Sequence, residues 1–450
     1  MSDTAPTPDA GIPAPTPAAA AQEPAPTPAP PSSTPAKAGL GERVRGFLMA
    51  NWIPIAVAVV CAVVLGLFSW HRFLHQSKAP HFIYQAMAWL EGRLDIPVDP
   101  PNQEDWVKIG EKFYQSFPAF PAVVMLPFVA WFGYQFNDTS FSVFMAALGL
   151  ALFYVLLRRL SQDGESKRTV LENLAFTFLL GFGTLFFYCA IRGEVWFTAE
   201  VMATGLTSLY VLFAVRARRP ILAGLCWSMA GLTRTPVLFA GIFFVAEVLW
   251  PSGSFSEKEA FQDLKAKLKK LALFAAAAAP LGLAHAWFNW ARFGSPTKFG
   301  HEFFWNNRVN ADISKWGLFH YQYLERNLTA AFTKLPTITF NPLRIGYDPH
   351  GMSLLVTTPL LLLLLWPKEK PRLHKALWLT VACTAIPGFF YQNDGYMQFG
   401  FRFSLDYTPF LMLLLVVGGW SLRSRLFAVL AVLGVVVNTW GAVAFRGYSW

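Results

Sequence analysis

Cysteine, charge and recognisable cofactor motifs are all scarce in this chain. Its 450 residues include four cysteines. Cys61, Cys189, Cys226 and Cys383 lie within or at the ends of apolar segments and have no metal-ligand spacing. They read as packing residues rather than a disulfide framework. Asp, Glu, Lys and Arg make up 14% of the chain, against about 25% in a soluble domain, so a soluble globular enzyme is a poor description. No CxxC, HExxH, Walker or GxGxxG pattern occurs with supporting context. Residues 1–36 have almost no apolar bulk. This Pro/Ala/Thr tract has too little to bury a core and is expected to be a disordered cytoplasmic tail. A signal peptide would be short, with a basic start and an apolar centre, and the tract has neither.

What the chain has instead is hydrophobic length. Its composition is 54% hydrophobic, and stretches such as 52–70, 271–291, 352–366 and 425–445 are nearly charge-free, the signature of transmembrane helices. Short basic connections alternate with long, polar, aromatic ones. The basic set is Arg158/Arg159 with Lys167/Arg168, Arg216/Arg218/Arg219, Lys265–Lys270, Lys368–Lys375 and Arg423/Arg425. If all of these face the cytoplasm, every chemically rich loop falls on the opposite face. The net charge of +10 is spread over these loops, so it reports topology and contact with anionic lipid rather than nucleic acid. Aromatics at 16% suit interfacial belts and a cavity facing carbohydrate or lipid.

The sorting decides one ambiguous region. Residues 117–160 have room for two crossings, but two would place Arg158, Arg159, Lys167 and Arg168 outside and invert every later basic loop. Pro118–Tyr134, broken by prolines at 118, 121 and 127, is therefore expected to lie on or dip into the outer leaflet without crossing. The resulting spans are 52–71, 140–160, 171–190, 196–215, two short ones within 220–250, 271–291, 351–366, 374–391, 403–420 and 425–445. The break at Thr233-Arg234-Thr235-Pro236 puts Arg234 at an outer turn. The expected architecture is an all-α polytopic membrane protein of about eleven transmembrane helices, with juxtamembrane helices in the first outer loop. The tail would cover 1–46 and the membrane domain 47–450, with outer loops 72–139, 292–350 and 392–402. The N-terminus would be cytoplasmic and the C-terminus extracytoplasmic.

Under this topology the outer face collects the candidate chemistry. The first loop holds His81, Glu104 and Asp105, and the second holds Arg192 and Glu194. Arg234 stands at the short turn, Lys298, His301, Arg308 and Arg344 in the large loop, and Arg402 with Asp406 in the last. A carboxylate beside several arginines at a bilayer suits displacement of a sugar from a lipid phosphate. The arginines hold the phosphate as leaving group through forked donors, and the carboxylate deprotonates the acceptor hydroxyl. Plainer readings exist for each: a solvated loop acid beside an interfacial Trp for Asp105, a snorkelling arginine for Arg234, an intrahelical i,i+4 pair for Arg402 and Asp406, a local turn pair for Arg192 and Glu194, and an interfacial ring for His81. Glu200 is a carboxylate inside a span. Asn327-Leu328-Thr329 matches a glycosylation sequon, a pattern short enough to arise by chance.

Scattered but ordered landmarks resemble a known superfamily. His81-Phe-Ile-Tyr-Gln-Ala-Met-Ala-Trp-Leu-Glu-Gly-Arg93 resembles the first juxtamembrane helix of GT-C-type membrane glycosyltransferases, the group that includes protein mannosyltransferases and the lipid A aminoarabinose transferase. Tyr114–Pro121 through Phe132-Gly133 resembles the Pro-rich segment that follows it. Gly231-Leu-Thr-Arg-Thr-Pro236 resembles the short helix pair with a basic outer turn. Phe293-Gly-Ser-Pro296 and Gln398–Pro409 resemble later landmarks. The resemblance implies a bacterial inner-membrane enzyme with a polyprenyl-phosphate sugar donor, a glycan, lipid or protein acceptor, and a metal-independent or metal-assisted reaction, with a divalent cation as the cofactor in the second case. The superfamily commonly places an acid just before the first juxtamembrane helix. Here that stretch is Gln76-Ser-Lys-Ala-Pro-His81, without one. Three alternatives follow: the base is Asp105 or Glu104, or it is His81, or the protein is a non-catalytic relative. Arg192, Glu194, Arg234, Lys298, His301, Arg402 and Asp406 are the expected substrate- and phosphate-binding set, with Lys298–Arg308 as a basic lid. A transporter or flippase of a lipid-linked or anionic substrate is the rival from another class.

Overall fold

The computed structural model describes residues 40–102, 104–305, 310–346 and 348–445. The proposed tail up to residue 39, Arg308, the side chain of Arg344 and the last five residues lie outside the described set. The chain divides into two units, Met1–Ala50 and Asn51–Trp450. In the first, helix α1 spans Leu40–Ala50.

The second unit is a helical bundle. It begins with α2 (Trp52–Phe68) and α3 (His81–Leu90), followed by a hairpin of β1 (Trp106–Ile109) and β2 (Lys112–Gln115). Then come α4 (Phe120–Phe132), α5 (Asp138–Gln162), α6 (Val170–Phe182), α7 (Val195–Ala214), α8 (Pro220–Gly231), α9 (Ile242–Leu249) and α10 (Leu264–Phe293). A second hairpin, β3 (Thr337–Phe340) with β4 (Leu343–Gly346), precedes α11 (Leu373–Phe389), α12 (Thr408–Val417) and α13 (Arg425–Ala444). The described residues are mostly helical, as expected, and these two hairpins are the departures from an all-α chain. Each strand is only four residues long, too short for a period-two pattern to stand out.

Among the described residues, four helices are long and apolar enough to cross a membrane: Asp138–Gln162, Val195–Ala217, Leu264–Phe293 and Arg425–Ala444. Six further apolar helices run 10–17 residues, and each of the eleven predicted spans falls on a helical segment. Glycines set the closest crossings. A Cβ at Gly149 of α5 would lie 3.4 Å from the Cα of Gly205 in α7, and one at Gly224 of α8 would lie 2.2 Å from the carbonyl oxygen of Phe274 in α10. Small residues at these points let helix backbones touch, as in membrane bundles generally.

The charge sorting has a direct structural counterpart. At one end of the bundle Arg158 donates to Asn51 (3.1 Å), and Arg216 Nε donates to Glu165 (2.6 Å). Arg372 bridges Glu165 (3.0 Å) and Glu247 (2.9 Å), and Lys167 pairs with Glu369 (2.9 Å). Three of the five basic connections therefore meet at this end, and the fourth, Lys265–Lys270, joins them through Lys267, whose ammonium donates to the Leu249 carbonyl (2.9 Å). The opposite end is laced by Asn137 to the Phe73 carbonyl (3.0 Å), Ser77 to Asp138 (2.6 Å) and Arg72 to Glu194 (3.0 Å). Helix α4 stays at that opposite end. The Phe120 N–H donates to the Leu232 carbonyl (3.1 Å), and Gln76 donates to the Tyr134 (2.7 Å) and Phe136 (2.9 Å) carbonyls just beyond its C-terminus. Trp131 (83% exposed), Phe132 and Phe128 form its outer apolar face, as a surface-lying segment requires.

Asn327 is fully buried, and its Nδ2 donates to the carbonyls of Tyr323 (3.1 Å), Phe389 (3.0 Å) and Tyr391 (2.7 Å). The sequon nitrogen is thus enclosed and engaged in the folded protein. All four cysteines are free, three of them buried, as packing residues should be.

Candidate active site

The loop after α2 folds back onto its own start. The Ile96 N–H donates to the Phe113 carbonyl (2.9 Å), which ties the loop to the first hairpin. Trp106 opens β1 and stacks flat on His81, the first residue of α3, at 4.0 Å and 7°. His81 Nε2 lies 2.9 Å from the Glu104 carbonyl. Two segments more than 20 residues apart in sequence are thereby brought together, and Asp105 lands beside the N-terminus of α3.

Asp105 itself is held in a demanding conformation. Its φ is 55°, the left-handed region that Asn and Asp tolerate better than most residues. Ser116 Oγ donates to its carbonyl (2.8 Å), and the Trp196 indole donates to its Oδ2 (2.7 Å). Trp196 sits in the first turn of α7. Glu200, four residues on, faces the same side of that helix. Its Oε1 accepts from Arg402 Nη1 (2.9 Å) and lies 3.8 Å from Arg234 Nη2. Arg234 in turn grips Asp406 with both prongs, Nε at 2.8 Å and Nη2 at 2.7 Å. The Phe403 ring carries both guanidinium groups, Arg402 at 4.8 Å and Arg234 at 5.5 Å. The plainer reading of Arg402 and Asp406 as an i,i+4 pair gives way to pairing with other elements, because Arg402–Asp406 is a tight 3₁₀ turn rather than an α-helix. Arg402 Nε is buried without a hydrogen-bond partner.

These groups border a cavity of about 360 Å³. Asp105, Arg234, His301, Arg402 and Asp406 line its polar side, and Leu238, Phe239, Ala385, Pro387 and Phe401 its apolar side. Burial, and then Arg234, push the His301 imidazole down to about 4, so it stays neutral at physiological pH.

The other predicted site residues do not line this cavity. His81 is fully buried beneath Trp106. A base must reach its proton, which this enclosure prevents. Glu104 contributes its carbonyl to His81, and burial followed by the charge of Asp105 raises its carboxyl. Arg192 and Glu194 form a closed buried pair (3.1 Å), joined by Arg72. Although burial opposes ionisation, Arg192 then holds Glu194 below the usual carboxylate range. The Arg192 guanidinium lies over Tyr188 (5.2 Å) and Phe197 (5.1 Å), so the pair reads as a brace between α7 and the preceding turn. Lys298 rests over the Phe303 ring at 5.3 Å rather than closing on the cavity. Among the described residues no group of three or more His, Cys, Asp or Glu side chains could hold a metal. Glu200 and Asp406 are occupied by arginines, so the donor set does not fit the divalent cation.

The acid-neutral state of His81 has a measurable consequence. Burial, only partly offset by the contacts to the Glu104 and Ala79 backbones, lowers it from 6.5 to about 4. Between those values the unfolded chain binds a proton that the folded one refuses. Stability therefore falls as pH drops through that window, by up to about 3 kcal/mol, and levels off below it. The apparent melting temperature in detergent should show this loss. His81→Phe, which keeps the stacked ring, should flatten it, and an unchanged profile in the variant would refute the assignment.

Of two further participants, Glu200 was a weak candidate in the sequence and Trp196 was none. Glu200 carried a signal, a carboxylate inside an apolar span, but its partners were not legible. Trp196 carried none, since a tryptophan at a helix start reads as an interfacial anchor.

No protein-family profile and no curated protein sequence matches the chain. Among solved structures it is similar to the oligosaccharyltransferase of Archaeoglobus fulgidus. The apo form aligns at 12% identity with a TM-score of 0.45, over 87% of this chain and 55% of that one. The same protein tethered by a disulfide bond to an acceptor peptide containing the NVT sequon aligns at 13% identity and a TM-score of 0.45, over 89% and 55%. The chain thus spans about half the length of these structures. A likeness of this size transfers no residue roles.

Proposed function

We propose that this protein is a GT-C-like glycosyltransferase of the bacterial inner membrane, moving a sugar from a polyprenyl-phosphate donor to an extracytoplasmic glycan, lipid or protein acceptor. The observation that carries the reading is one cavity holding the Asp105 carboxylate and the Arg234 and Arg402 guanidinium groups, at the end of the bundle opposite the basic connections. Asp105 is the base. It takes the proton of an acceptor hydroxyl as that oxygen bonds to the anomeric carbon and the bond from that carbon to the lipid phosphate breaks. Arg402 and Arg234 stabilise the departing phosphate with the donors left over from Glu200 and Asp406. The apolar side of the cavity accommodates the lipid. The reading of Asp105 as the acid missing before the first juxtamembrane helix is supported by the stacked His81–Trp106 pair, which brings it to that helix from further along the loop.

The test is incubation of the purified, folded protein with polyprenyl-phosphate sugars, with release of lipid phosphate as the readout. Turnover with at least one donor is expected. A protein that moves lipid across vesicles without releasing phosphate would be the transporter instead. One that does neither would be a non-catalytic relative.

A further inference from the structure

The second hairpin leaves a fully apolar face uncovered. Every residue of β3 is exposed. Ile338 (52%) and Phe340 (78%) share one face of the strand, since side chains alternate with period two. Ile345 (53% exposed) stands directly opposite Ile338 in the antiparallel register. Thr337 and Thr339 occupy the other face. This is an amphipathic two-stranded sheet whose apolar side is left uncovered by the described residues of its own chain. Such a hairpin is marginal in water and needs a hydrophobic surface to rest on.

Its attachment points to what that surface is. The chain enters the hairpin through Phe332, which packs on Phe389 at the end of α11 (5.8 Å between ring centroids). The Lys334 carbonyl accepts from the Ser353 N–H (2.9 Å), and the Lys334 ammonium pairs with Asp348 (2.9 Å). Ser353 caps the apolar segment that begins at Leu354. The hairpin therefore leaves the bundle at the level where two apolar segments end. Exposed Leu355 and Ile386 on those segments, then Phe332 and Leu335, carry their apolar flank toward the hairpin. Four residues of strand span about 13 Å, more than the headgroup layer of about 5–8 Å on each side of a bilayer.

We infer that the hairpin Thr337–Gly346 is a membrane anchor of the large loop, laying Ile338, Phe340 and Ile345 into the outer leaflet while Thr337 and Thr339 face water. The inference is independent of the chemistry of the cavity. It assigns the loop a fixed height against the bilayer, and with it the rim that the loop builds.

The alternating faces allow an internally controlled test. Full-length protein carrying Cys383→Ser, with either Phe340→Cys or Thr339→Cys, is labelled with a nitroxide and placed in lipid nanodiscs. Collisions with oxygen, which concentrates in lipid, are compared with those of a water-soluble nickel chelate. The expected oxygen-to-nickel ratio is several-fold higher at position 340 than at 339. Equal nickel access at both positions would put the hairpin in water and overturn the inference. Protection of position 340 from both reagents would overturn it too, by placing that face against protein, such as a second copy of the chain.

Discussion

Asn in place of Asp105 is expected to lower lipid-phosphate release by about 10²–10⁴-fold, the usual contribution of a positioned general base, while expression, membrane insertion and melting temperature stay near wild type. Three local facts make the substitution structurally mild. The backbone at residue 105 has φ 55°, and Asn tolerates the left-handed region as well as Asp does. The Trp196 indole, which donates to Oδ2, finds an equivalent acceptor in the amide oxygen. Ser116 holds the backbone carbonyl, not the side chain. What Asn lacks is the capacity to take a proton at neutral pH. The comparison with Glu104→Gln separates the two neighbouring acids. Glu104 does not border the cavity, so its amide variant should retain most of the activity. Full activity in Asp105→Asn would remove the base assignment, and equal losses in both variants would make the loop conformation, rather than a proton acceptor, the common cause.

The layout of the bundle was legible in the sequence because membranes impose strong local rules. Hydrophobic length and the placement of Arg and Lys anticipated that Arg158, Arg216 and Arg372 would meet at one end and that Pro118–Tyr134 would stay at the other. The residue-level site was legible only in part. Arg234 stood out because a charge inside an apolar run is costly, and Asp105 because it lies in the same loop as the first juxtamembrane helix. Their partners were not readable, since Asp406 lies 172 positions from Arg234 and Trp196 lies 91 from Asp105, and single-chain periodicity carries nothing about contacts that distant. The same limit explains why Arg192 and Glu194 looked like site residues. An exposed turn pair and a buried brace have identical sequences, and only the covering by Tyr188 and Phe197 tells them apart.

The arginine pairing raises a sharper question, because a guanidinium already gripping a carboxylate can be scaffold rather than phosphate holder. Arg234→Met should be strongly destabilising, by about 3–5 kcal/mol, since it leaves Asp406 buried without its counter-charge and beside Glu200. Adding Asp406→Leu removes the orphaned acid, and replacing a whole buried ion pair with apolar side chains of similar size is often neutral or better. The double variant should therefore recover most of the melting temperature lost by the single one. Its activity decides the role. If Arg234 stabilises the departing phosphate, lipid-phosphate release stays at least about a hundredfold down even with the fold restored. If activity returns with stability, Arg234 is a brace like Arg192, and Arg402, whose Nε has no partner, is left as the phosphate-binding arginine. Asp406→Asn completes the comparison. Its amide oxygen still accepts from Arg234, so it should keep both fold and turnover; loss of turnover there would give Asp406 a part of its own in the reaction and reopen which of the two carboxylates lining the cavity takes the proton.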